Sequence, residues 1–98
     1  MPNQNPQNQI QIKANDEVIK GVYSTLAQFA HSREEFILDF MMTFPPQPQV
    51  VSRVIISPSH AKRMLKALVE NIKRYEGQYG TINEGENPSK DGIGFKVA

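Results

Sequence analysis

His31 and His60 are the only imidazoles in a chain of 98 residues that has no cysteine. A general base needs an oriented partner, and a metal site needs several ligands at short spacing. No His-x-x-x-His occurs, and zero cysteines remove thiolate metal sites, iron–sulfur clusters, cysteine nucleophiles and disulfides. His60 falls in the first turn of an expected helix, so it reads as a solvated or cap-supporting residue. Glu34 and Glu35 are adjacent and would point to opposite faces of a strand, which disqualifies them as a carboxylate dyad. Ser57 and Ser59 have no Lys or His at a nucleophile's spacing; capping accounts for them. No P-loop or Gly-x-Gly-x-x-Gly occurs, and Gly92-Ile93-Gly94 in a polar tail is too weak a signal for phosphate. The expectation is a protein without catalytic, cofactor-binding or metal-ligating residues, and not an enzyme.

One charged cluster remains. Lys62, Arg63, Lys66, Lys73 and Arg74 lie on the polar side of the same expected helix, diluted by Glu70 and Glu76. They form a candidate polyanion contact, yet 11 basic residues against 10 acidic ones give a net charge of only +1. A dedicated nucleic-acid binder carries a larger positive footprint, so a solvated face is the expected role and nucleic-acid association through this helix the alternative. The N-terminus has no basic region followed by a hydrophobic stretch, and the apolar runs are too short to cross a bilayer. The expected location is cytoplasmic, with no membrane partner.

The elements that position these residues follow from the patterning. Residues 1–9 hold six Asn or Gln and two Pro, and have nothing to bury; they read as a disordered arm. Residues 81–98 read as a flexible tail with a short strand at its end. Of 25 Leu, Ile, Val and Phe residues, 22 lie between Ile10 and Ile82, which confines the folding unit to residues 10–80. Ile10 and Ile12 suggest a short strand before a polar turn at Ala14-Asn15-Asp16-Glu17. Val22 to His31 has the composition of a strand. Phe36, Leu38, Phe40, Met42 and Phe44 at strict period two make Glu35 to Phe44 the clearest one. Prolines then interrupt, and Val50 to Ile56 supplies a further β-branched run.

Ser57-Pro58 is a helix start, with a hydroxyl to cap free N–H groups and a proline where no donor is needed. From there Ala61, Met64, Leu65, Leu68, Ile72, Tyr75 and Tyr79 recur at steps of three and four, one apolar stripe running to about Glu76, with Gly77 and Gly80 as stop signals. The fold class expected is α+β: an antiparallel three- or four-stranded meander followed by one long C-terminal amphipathic helix.

Pairing arithmetic then points to assembly. A register with Ile37 opposite Ile55, Asp39 opposite Arg53, Met41 opposite Val51 and Leu38 opposite Val54 puts charge against charge and apolar against apolar. The helix stripe should cover the face of Ala27, Phe29, Phe36, Leu38 and Phe40. The other face then carries Val22, Leu26, Ala30, Ile37, Met41, Val51 and Ile55 around the Asp39–Arg53 pair, too apolar to leave in water. A second copy is the expected cover, as a homodimer or higher even oligomer, with Leu26, Ile37, Asp39, Met41, Val51, Arg53 and Ile55 as interface residues.

The stretch from Ile10 to Tyr79 resembles a family of small bacterial and archaeal proteins, domain of unknown function 3467. The residues that carry the resemblance are Gly21-Val22-Tyr23-Ser24, His31-Ser32 with Glu35-Phe36, Asp39-Phe40, Ser52 to Pro58, His60-Ala61-Lys62-Arg63 and the helix Leu65-x-x-Leu68-x-x-Asn71-Ile72-x-x-Tyr75-Glu76. It implies a compact sheet-plus-helix unit and brings no activity. The order of elements is also similar to that of the tetrameric bacterial export chaperones, an analogy of topology alone. Together these readings lead to a non-enzymatic, homo-oligomeric protein-interaction module, chaperone- or adaptor-like, whose partners are itself and another protein.

Overall fold

The structure is a computed structural model that describes residues 9–44 and 46–85. Its elements run α1 (Asp16–Lys20), β1 (Leu26–His31), β2 (Phe36–Met42), β3 (Gln49–Ile56) and α2 (Pro58–Tyr79). The strands form one antiparallel sheet in the order β1-β2-β3. The chain is therefore α+β, a three-stranded meander followed by a long helix, as the patterning requires. The arm before Gln9 and the strand expected near the C-terminus lie outside the described residues.

Each turn has an identifiable chemical cause. Between β1 and β2, the Ser32 hydroxyl accepts from the N–H groups of Glu34 and Glu35, both at 3.3 Å, and the Ser32 N–H donates to the Glu35 carbonyl at 2.9 Å. That four-residue connection places Phe29 opposite Leu38 and Ala27 opposite Phe40, on the expected face. At the start of α2 the Ser57 hydroxyl accepts from the His60 N–H at 3.2 Å, with Pro58 in the first helical position. The helix ends where Gly80 adopts φ 97°, a left-handed value that costs glycine little, and its N–H donates to the Glu76 carbonyl.

Three local expectations are corrected. Ile10 and Ile12 are not in a strand but are exposed, and the supposed polar turn opens α1, where Asn15 caps the Val18 N–H at 2.9 Å. β1 begins at Leu26 rather than Val22. Gly21 turns the chain at φ 75°, and the Met41 carbonyl then accepts from the Thr25 N–H at 2.8 Å and from the hydroxyls of Ser24 and Thr25. Thr25 and Thr43 hydroxyls stand 2.8 Å apart and close that end of the hairpin.

The third correction concerns the long helix. No residue of α2 is buried, and Leu65 and Leu68 remain 60% and 55% exposed. On the sheet face that the stripe was expected to cover, Phe29 is 65% exposed. The approach of helix to sheet is confined to the first turns, where Pro58, Ala61, Lys62 and Leu65 flank Phe36. A Pro58 start directly after β3 fixes the exit direction of the helix, and no residues are available for a turn that would fold it back. Among the described residues the buried apolar side chains are Leu38, Met41 and Ile56, a very small core for a unit of this length.

Candidate interaction surface

The central strand dictates the surface. On one side of the sheet Asp39 of β2 lies between Gln28 of β1 and Arg53 of β3, making a polar row across all three strands. Above it run Leu26, Met41 and Val50; below it run Ala30, Ile37 and Ile55. The alternation of β2 creates this banding, because every second residue shares a face.

Asp39 is 6% exposed, and its carboxylate accepts two hydrogen bonds from Arg53, Nε to Oδ1 at 2.6 Å and a terminal guanidinium nitrogen to Oδ2 at 2.9 Å. This is the two-point geometry in which a guanidinium matches a carboxylate best. Hydrogen bonding to Arg53 holds the Asp39 carboxyl below its ordinary range, against the opposing push of burial and with a smaller assist from the guanidinium charge. The same bonds, followed by the carboxylate's charge, push Arg53 further up. Both carboxylate oxygens are engaged, so the arrangement orients and neutralises; it does not leave a free base.

Six of the seven residues read from the sequence as one interface are brought together on this face: Leu26, Ile37, Asp39, Met41, Arg53 and Ile55. Val51 is displaced. The register holds from Phe36–Ile56 to Phe40–Ser52, then shifts, so that Met41 is opposite Val50 and not Val51. The extra residue is a β-bulge, which leaves Val51 without a cross-strand partner. Val51 instead lines a cleft of about 280 Å³ with Val18, Gly21 and Val22, beside α1. Sequence reasoning assumed an unbroken ladder and so missed Val50; a bulge leaves no mark in hydrophobic alternation when the residues at the break are both valine. Met41 is buried within the single chain, whereas Ile55 is 53% exposed and Leu26 and Ile37 are half-buried.

Lys62, Arg63, Lys66, Lys73 and Arg74 are all exposed on α2. His31 stacks on Phe36 across the first hairpin at a centroid distance of 5.4 Å, and His60 is an exposed residue whose N–H the cap uses. Among the described residues no group of three or more His, Asp or Glu is placed to hold a metal, and no helix is long and apolar enough to cross a membrane.

A family model described as Protein of unknown function (DUF3467) matches residues 1–84. No curated protein and no solved structure matches the chain.

Proposed function

We propose that this chain, which belongs to the DUF3467 family, is a non-enzymatic protein-interaction module that works as a homodimer or higher even oligomer. The observation that carries the reading is the mismatch between apolar surface and apolar core. Among the described residues three buried apolar side chains support a sheet that leaves Ile55 and Phe29 largely in water on its opposite faces, beside a helix with no buried residue. A patch of that kind marks an interaction surface, and a second copy offers the same patch by symmetry. The row Gln28–Asp39–Arg53 would then lie inside the interface, where a neutralised, hydrogen-bonded pair fixes register without leaving a bare charge. Another protein is captured at the remaining apolar surface, in the manner of an adaptor or holding chaperone.

The test is light scattering coupled to size exclusion. Wild type is expected at an even multiple of the 11.1 kDa chain mass. Ile55→Lys replaces a half-exposed side chain that the isolated fold barely needs, and is expected to lower the mass while circular dichroism stays unchanged. Met41→Lys would be ambiguous, because Met41 is buried in the chain itself. A well-folded wild-type monomer overturns the reading.

A further inference from the structure

We infer that α2 pairs with α2 of a second copy as an antiparallel two-helix coiled coil, centred between Val69 and Asn71. The inference rests on the self-association proposed above but assigns it a second, separate surface. Ala61, Leu65, Leu68, Ile72, Tyr75 and Tyr79 step by four, three, four, three and four residues, the spacing of a seam that winds against a partner helix. The sheet meets this seam only at its N-terminal end, beside Phe36, and Leu65, Leu68, Tyr75 and Tyr79 are all exposed.

Orientation follows from size and charge. In the antiparallel alignment Ala61 meets Tyr79 of the second copy, Leu65 meets Tyr75 and Leu68 meets Ile72, so each layer combines a smaller with a larger or an equal side chain. The flanking positions bring Lys62 beside Glu76 of the second copy, twice by symmetry, and bring Val69 and Asn71 each against its own counterpart. A parallel pair would instead stack Ala61 on Ala61 and tyrosine on tyrosine, set Lys62 beside Ser57 and leave Glu76 beside Asn71. Charge complementarity exists only in the first arrangement.

The surface at both ends of the helix agrees. A cleft of about 370 Å³ lies against Ala61, walled by Phe36, Pro58, Lys62 and Leu65. It is aromatic on one side and open where the small Ala61 side chain leaves room, and the antiparallel alignment delivers Tyr79 there. At the other end Ile72, Tyr75, Tyr79 and Ile82 border an open groove that receives the first turns of the second helix. Glu76 accepts from the Ile82 N–H through one oxygen, Oε2, at 2.9 Å, leaving Oε1 for Lys62.

The full chain contains no cysteine, so introduced thiols are unique. Lys62→Cys and Glu76→Cys variants, mixed and treated with a short bifunctional thiol reagent, are expected to give a mixed cross-linked dimer. In a parallel pair these positions are separated by about 21 Å along the axis, beyond a short reagent. Val69→Cys alone is expected to cross-link to itself. Lys62→Glu is expected to weaken the dimer about tenfold, as two ion pairs become two repulsions, and Lys62→Glu with Glu76→Lys to restore it. Cross-linking of Leu68→Cys but of neither Val69→Cys nor the mixed pair overturns the inference in favour of parallel helices. An oligomer by light scattering in which none of these cross-links forms overturns it while leaving the proposed function standing. A wild-type monomer overturns both.

Discussion

Asp39 shows how one side chain ties acidity to structure. Its carboxyl titrates below the ordinary carboxylate range in the folded chain because Arg53 binds both oxygens. A depressed folded value means that the stabilisation is present above the unfolded-state value, about pH 4, and disappears as pH falls through the lower folded value. Arg53→Ala removes both donors and leaves a buried carboxylate without its partner, which raises its pKa above the unfolded value. The variant is expected to lose urea resistance near neutral pH and to regain some of the deficit as acid protonates Asp39, whereas wild type only weakens on acidification; urea midpoints measured on both sides of pH 4 check this. The pair was legible from sequence because opposite charges at one register position agree with apolar pairs on either side. Val51 was not, because nothing in the run Gln49-Val50-Val51-Ser52 distinguishes a continuous ladder from one with an inserted residue.

At the scale of elements, termini were easier to read than partners. Ser57-Pro58 announces α2 through a mechanism local to four residues, and Ser57→Ala is expected to destabilise the helix by about 1 kcal/mol, read as a lower urea midpoint with helical content reduced at the N-terminal turn. The same local chemistry was present at Asn15-Asp16-Glu17 with Lys20 and Gly21, a capped start, acids in the first turn, a base in the last and a glycine stop. The sequence nevertheless reads there as a turn, because five residues are too few to show an apolar period. The position of α2 was misjudged for a different reason. A stripe states that a helix has an apolar side; it does not state which surface meets it, and the partner surface can belong to another molecule.

For the whole molecule the consequence is thermodynamic. A chain whose buried apolar side chains, among the described residues, are Leu38, Met41 and Ile56 gains much of its stability when its exposed aliphatic surface is covered. Its midpoint of thermal unfolding is therefore expected to rise with protein concentration, by mass action between copies, and a midpoint independent of concentration over two decades would contradict that coupling. The near-balance of 11 basic and 10 acidic residues is compatible with such packing, since copies of a strongly charged chain repel one another.

The bulge at Val51 bears on how large such a complex grows. An exposed β-strand border templates further strands, and long flat borders lead to fibres. β3 is such a border, yet its ladder is broken at Val51 and its approach contains Pro46 and Pro48, neither of which can donate a backbone N–H. Lateral growth from that flank is frustrated at the outset. A face-to-face pair and a helix-to-helix pair of copies would each be two-fold, and the two contacts together would close into a bounded tetramer where their axes cross at right angles and would run on as a filament where they do not.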